Sequence, residues 1–307
     1  MLPFFQALLP VIIIVTLGRL LALRNIITAE GWRGIERISY YLLFPALIIR
    51  EIARAPLETA PWGLAITLIS AQLILGAIGL LASSSRGRPA KGSIIQSNVR
   101  WTAFVALSIS GALFGGEGLA LVAISAAAMI PIANILSVGA LTKYADVELN
   151  RRPNVMRDLA TNPLIIACLI GITLNLMNLA PTGIVDTTFG LLGQSVIALG
   201  LLTAGAGVDF QALRRAGSRT FTWSFIRLLG LPLAALALAL ILGLPRLHIL
   251  IAVICTATPT ATNCYILAKQ LGGDAPLSAN LIAVQTALSA LTMPLVYIFA
   301  LSLTGGG

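Results

Sequence analysis

Apolar stretches of about 20 residues recur along the whole chain of 307 residues, and a helix of that length crosses the roughly 30 Å hydrocarbon core of a bilayer. Hydrophobic residues make up 58% of the chain and charged residues only 10%, against about 25% charged residues in soluble domains. The sequence therefore predicts an all-α, multi-pass membrane protein. The ten predicted spans are residues 3–23, 36–53, 62–83, 93–114, 118–142, 159–178, 187–208, 219–243, 248–270 and 278–303.

Basic residues are distributed unevenly between the two sides of the predicted membrane. Sixteen of the 20 lysines and arginines, counting Arg100 in span 4, lie toward one set of alternate span ends. Arg50, Arg54 and Arg246 lie at the other set, and Arg227 lies inside a span. Because cytoplasmic loops carry an excess of Lys and Arg, we expect both termini outside and the protein in the cell inner membrane. The net charge of +9 then requires no nucleic-acid partner.

The longest polar stretch, residues 143–158, divides the spans five and five. With an odd number of spans in each half, the second half enters the membrane from the opposite side. Residues 1–142 and 159–307 are therefore predicted to be two inverted five-helix repeats joined by a cytoplasmic loop. Many secondary transporters have this architecture.

Span 9 contains a proline, Pro259, at mid-membrane depth. Proline removes a backbone donor and breaks the helix, and broken helices persist in a membrane only where they are buried in protein or line a wet cavity. This segment is the first candidate for a binding site, through Thr258, Pro259, Thr260 and Asn263. Asn263 is the stronger candidate among them, because an asparagine amide needs several hydrogen-bond partners. A threonine hydroxyl can instead donate to a carbonyl of its own helix one turn earlier.

Span 4 corresponds to span 9 in the other half and is the most polar span there, with Arg100, Thr102 and Ser108 as candidate binding residues. It has no proline, so we expect any interruption to come from its serines and glycines. Arg100 and Arg227 each lie about eight residues inside a span, a depth from which a long side chain can snorkel to the surface. We interpret Arg227 in that way. Arg100 is the better binding candidate, because a positive charge beside half-helix N-termini would suit an anionic substrate.

Two further amides are candidates for the same site. Asn134 follows Pro131 in span 5 and repeats the proline-then-polar arrangement, and Gln285 lies in span 10, although such residues also join helices. None of the 11 acidic residues lies mid-span, which disfavours a carboxylate proton relay. The sequence also lacks a pattern that identifies a hydrolase or metalloenzyme, so we expect no enzyme, cofactor or metal site.

Several short motifs, in this order and spacing, resemble the auxin efflux carrier family in its bacterial branch, within the bile acid, arsenite and riboflavin transporter-like superfamily. The motifs are Phe44-Pro45-Ala46-Leu47, Ile130-Pro131-Ile132-Ala133-Asn134, Asn162-Pro163-Leu164, Thr258-Pro259-Thr260-Ala261 and Gly272-Gly273-Asp274. The resemblance implies that broken helices 4 and 9 cross at a substrate site. It also implies a scaffold of spans 1, 2, 6 and 7 beside a transport domain of spans 3–5 and 8–10. Bacterial members are associated with small organic acids such as malate and malonate. Many members have an Asn-Thr pair and a later proline in helix 4, where this chain has Thr102-Ala103 and Ser108.

The leading hypothesis is a secondary carrier that moves a small mono- or dicarboxylate by alternating access. The coupling ion, proton or sodium, and the formation of a homodimer are left open. One alternative is a channel or scaffolding membrane protein in which prolines only kink helices. Another is a sodium-coupled symporter of the bile-acid type, for which backbone carbonyls would have to replace an intramembrane acid.

Overall fold

The computed structural model describes residues 2–54, 61–82, 88–145, 161, 163–207 and 216–305. Every regular element in these ranges is helical. Most of the predicted connecting loop, with Arg151, Arg152 and Arg157, lies outside the described residues, as do Arg86 and Asn162.

Thirteen α-helices are described, two pairs of them joined by five-residue π-helical turns at Ser39–Leu43 and Ile226–Gly230. The helices are α1 (Leu2–Leu23), α2 (Ala29–Ile38), α3 (Phe44–Arg54), α4 (Trp62–Ala82), α5 (Arg88–Val99), α6 (Ala103–Tyr144), α7 (Pro163–Leu176), α8 (Gly183–Ala206), α9 (Ser218–Phe225), α10 (Leu231–Ile241), α11 (Arg246–Ala257), α12 (Cys264–Gln270) and α13 (Ala275–Thr304).

Five helical stretches in the described part of the chain are long and apolar enough to cross a membrane. They are Trp62–Ala82, Arg88–Tyr144, Gly183–Ala206, Ser218–Ile241 and Ala275–Thr304, and shorter apolar helices accompany them. Large apolar side chains on these helices point outward, with Leu81 84%, Ile184 87% and Ile241 79% exposed. Since soluble proteins rarely expose large apolar patches, helices with such exposed side chains suit a lipid environment.

The chain divides into two compact units. The first comprises Met1–Pro61, Ala103–Ala127 and Arg157–Gly207, and the second comprises Trp62–Thr102, Ala128–Met156 and Val208–Gly307. Predicted spans 1, 2, 6 and 7 thus lie in the first unit, spans 3, 8, 9 and 10 in the second, and spans 4 and 5 are shared. The inverted repeats and the scaffold and transport domains stay predictions.

In the first unit, α1 and α8 approach each other through glycine. A Cβ atom built on Gly18 would collide with the carbonyl oxygen of Leu202, and one built on Gly205 would collide with the carbonyl oxygen of Val15. Such close approach of two helix backbones requires the smallest side chain. The two glycines therefore fix how α1 packs on α8.

Ion pairs join α3 to the first turn of α8. Arg50 Nε lies 2.7 Å from Asp186 Oδ1 and its Nη1 lies 2.9 Å from Glu51 Oε1, while Arg54 Nη2 lies 2.7 Å from the same Asp186 oxygen. Two of the three basic residues at the predicted outer ends are therefore paired with acids. The pairs fasten the end of α3 to the start of α8.

Within the first unit, α6 turns back on itself at Gly115, where φ is +60° and ψ is −143°. A Cβ built on Gly118 would lie 2.5 Å from the carbonyl oxygen of Ser110, although eight residues of straight helix would separate the two by about 12 Å. Only glycine adopts that backbone conformation readily. The turn therefore separates predicted spans 4 and 5.

The second unit packs α4 and α10 against each other through Ala71, Leu75, Leu231 and Ala235. A second apolar cluster joins α5, α9 and α13.

Candidate functional site

A non-helical segment in the second unit interrupts predicted span 9. Helix α11 ends at Ala257 and α12 begins at Cys264, and Pro259 is buried between them. The break lies where the proline predicts it. It is wider than a simple proline kink, because six residues, Thr258 to Asn263, lie between the two helices.

The second break interrupts predicted span 4 at Arg100, Trp101 and Thr102, between the end of α5 and the start of α6. The expectation that serines and glycines would cause it is wrong, because these three residues include neither. Side chains from other helices instead bind the backbone groups that the break leaves without a partner in the helix. The amide of Gln72, on α4, donates to the carbonyl oxygen of Val99 at 2.8 Å, which satisfies a helix-end carbonyl that would otherwise need water.

Hydrogen bonds join the two breaks directly. Thr102 Oγ1 donates to the carbonyl oxygen of Thr260 at 3.1 Å, and Gln96 Nε2 donates to the carbonyl oxygen of Cys264 at 2.9 Å. From α13, Gln285 Oε1 accepts from the backbone N–H of Thr260 at 3.0 Å. Buried backbone groups freed by a break need hydrogen-bond partners of this kind. These side chains therefore stabilise the unwound segments in the membrane.

Arg100 is held between two asparagines. Its Nη1 donates to Asn134 Oδ1 at 3.0 Å and its Nη2 donates to Asn263 Oδ1 at 3.2 Å. Since both amide oxygens accept from Arg100, the two NH₂ groups remain as donors. Residues from three predicted spans thus form one cationic, donor-rich cluster.

The structure overturns the interpretation of Arg227 as a snorkelling residue. Its side chain is 0% exposed. Its Nη1 donates to the carbonyl oxygen of Thr256 at 2.6 Å, and its Nη2 donates to the carbonyl oxygen of Arg100 at 3.0 Å. Arg227 therefore turns inward, to one carbonyl at the end of α11 and one at the end of α5.

A family model described as membrane transport protein matches residues 3–297. The chain belongs to this family, that of the auxin efflux carriers. It is also 25% identical over 298 residues to a protein of Methanothermobacter thermautotrophicus described as an uncharacterized transporter, covering 94% of this chain and 96% of that protein. The resemblance found in the motifs is confirmed, and the chain is a multi-pass membrane transport protein.

In this transporter, six of the nine predicted site residues take part in the hydrogen bonds of the two breaks: Arg100, Thr102, Asn134, Thr260, Asn263 and Gln285. Pro259 lies buried in the break itself. The hydroxyl of Thr258 donates to the carbonyl oxygen of Cys255 at 2.9 Å, one turn earlier, and Ser108 belongs to the first compact unit.

Sequence reasoning missed Gln72, Gln96 and Arg227, each of which binds a backbone carbonyl at a break. Gln72 did carry a signal, because it is the single amide in α4, a helix without a charged residue. Within the described part of the chain no three His, Cys, Asp or Glu side chains are grouped so as to hold a metal ion.

Proposed function

We propose that this protein is a secondary carrier of a small organic anion, a mono- or dicarboxylate, which binds beside Arg100 where the two breaks meet. The charge balance of the second unit carries the proposal. Among the described residues of that unit the only carboxylate belongs to Asp274, and it accepts from the N–H of Leu277 at 2.9 Å as the cap of α13. Arg100 and Arg227 therefore lack an acidic partner within the described unit.

The two arginines differ in how their charge is compensated. Arg227 binds carbonyls at the C-terminal ends of α5 and α11, and each helix end carries about −0.5 elementary charge. Together they offset one guanidinium. Among the described residues the guanidinium of Arg100 has two neutral amide oxygens as partners and no carboxylate, so none of them offsets its charge. Because an unpaired charge inside a membrane protein is costly, an anionic substrate would complete the site.

The donor geometry suits a carboxylate. Arg100 uses two of its five N–H groups on the asparagines, and its buried Nε has no partner among the described residues. A planar guanidinium binds carboxylates through two parallel hydrogen bonds. The NH₂ groups of Asn134 and Asn263 would add donors on either side.

For the transport step, we propose alternating access, in which spans 3–5 and 8–10 move against spans 1, 2, 6 and 7. The grouping of spans 1, 2, 6 and 7 in one compact unit, and of spans 3, 8, 9 and 10 in the other, supports this division. A channel remains the competing function. The carrier is favoured because dedicated side chains hold both breaks, whereas prolines that only kink a helix need no such partners.

A thermal-shift screen of the purified protein against mono- and dicarboxylates tests the proposal, since a ligand that binds the native state raises the melting temperature with concentration. Hits are then measured for uptake into proteoliposomes. We expect saturable uptake that is accelerated by the same compound trapped inside. Linear uptake without acceleration would indicate a channel, and the absence of any carboxylate hit would contradict the proposed substrate class.

A further inference from the structure

Arg227 is the largest fully buried side chain in the described part of the chain. It lies in the π-helical turn Ile226–Gly230 between α9 and α10. A π-helical turn adds one residue to a helix and often marks a functional site. Arg227 lies in this π-helical turn, and its guanidinium points toward the two breaks.

Arg227 binds two backbone carbonyl oxygens, and both lie at the C-terminal end of a helix. Thr256 is the penultimate residue of α11, and Arg100 immediately follows the last residue of α5. Their carbonyl oxygens lie 2.6 Å and 3.0 Å from the two Nη atoms. Both belong to helix C-termini, where carbonyls lack partners in the helix and the dipole is negative.

Carbonyls at half-helix C-termini and unwound segments are the groups that coordinate a sodium ion in broken-helix transporters. Here a protein side chain occupies that position, and arginine keeps its charge at any physiological pH. We propose that Arg227 is a built-in cation that takes the place of a coupling sodium ion. The transport cycle therefore needs no sodium. This inference rests on the proposed carrier function.

Arginine suits this role better than lysine would. Its rigid fork reaches two carbonyls on different chain segments at once, whereas an ammonium is a point charge on a flexible stem. The side chain thus supplies the charge of a bound ion and also fixes the distance between the two breaks. A sodium ion would dissociate in each cycle, but Arg227 stays.

The test compares melting temperatures of purified wild type, Arg227→Ala and Arg219→Ala in sodium chloride, in choline chloride and with millimolar guanidinium chloride. Arg219 is the matched control, because it is an exposed arginine on α9. We expect wild type and Arg219→Ala to melt at the same temperature in sodium and in choline. Arg227→Ala should melt about 5 °C lower in choline, because two helix-end carbonyls lose their partner.

Sodium or guanidinium, but not choline, should then raise the melting temperature of Arg227→Ala by about 3 °C at ten times the dissociation constant. A folded Arg227→Ala that neither cation stabilises would overturn the proposal, as would selective stabilisation of the wild type by sodium. If Arg227→Ala does not fold, Arg227→Lys takes its place. It should fold and remain indifferent to sodium, and a sodium response in it would contradict the proposal.

These melting measurements use no carboxylate. If no carboxylate binds, the proposed substrate class fails, while the melting temperatures still decide whether Arg227 occupies a cation site. If carboxylate uptake is measured but requires a sodium gradient, the carrier proposal stands and the built-in cation is refuted.

Discussion

The hydroxyl of Thr102 donates to the carbonyl oxygen of Thr260 at 3.1 Å, and so ties the break of span 4 to the break of span 9 across 158 residues of chain. Both residues are buried, 7% and 1% exposed. The two unwound segments therefore satisfy part of each other's hydrogen-bonding requirement.

Thr102→Val tests this contact, because it keeps the shape of the side chain and removes the donor. The Thr260 carbonyl would remain buried without that partner, so we expect a loss of about 1 kcal/mol in the free energy of unfolding. Thr173→Val is the control, since that exposed hydroxyl returns to the Leu169 carbonyl of its own helix. Equal unfolding midpoints for the two variants would show that the contact contributes nothing.

Arg100→Gln removes the charge that we assign to substrate binding. We expect folded yield to be retained and both carboxylate-induced stabilisation and uptake to be lost. Arg100→Lys should restore them only in part, because the two-pronged geometry is missing. The control is Arg219→Gln. Normal uptake by Arg100→Gln would exclude Arg100 from the site.

Asn263→Leu removes one of the two oxygens that orient Arg100. Carboxylate affinity should fall by about tenfold, or about 1.4 kcal/mol, while uptake at saturating substrate persists. Thermal-shift titration measures the change. Gln194→Leu, at an exposed position on α8, should bind as the wild type does. An affinity for Asn263→Leu within twofold of the wild type would rule out a positioning role.

Pro259→Ala should leave the break of span 9 open. An N–H restored at position 259 could donate to the Cys255 carbonyl. The helix would continue past it only if the N–H of Thr260, which has one hydrogen to donate, gave up Gln285 Oε1, and the Thr260 carbonyl would still be bound by Thr102. We expect carboxylate affinity within about twofold of the wild type, below 0.5 kcal/mol. A complete loss of binding would mean that the proline alone maintains the break.

The orientation is tested by single cysteines in a background without the three native ones, which are buried. A cysteine near Arg88 or Arg152 should be protected from an impermeant thiol reagent added outside. A cysteine near Thr182 should react. The opposite pattern would reverse the topology drawn from the basic residues.

The break of span 9 could be predicted from the sequence, because proline acts on its own backbone and on the preceding turn. The break of span 4 could be suspected but not located. Arg100, Trp101 and Thr102 have no intrinsic tendency to end a helix that compares with proline's. Their conformation depends on Gln72 and Arg227, which come from other helices.

The orientation of the Arg227 side chain could not be predicted from the sequence either. Its depth in span 8 fits a side chain that reaches the membrane surface and equally fits one that turns inward. Which alternative applies depends on whether free carbonyls lie on the inward side, and those carbonyls arise from breaks in two other spans. Sequence patterns within one helix carry no information about that.

The contact between Gly18 and Leu202, and its counterpart between Gly205 and Val15, is made by main chain on both sides. Such a junction has no rotamers through which it could relax, so it cannot adapt gradually to a substitution or to mechanical load. In a saturation mutagenesis screen, both glycine positions should therefore tolerate no other amino acid, in contrast to exposed positions on the same helices such as Leu20 and Leu191. This helix pair is expected to behave as a single rigid body for as long as the protein is folded.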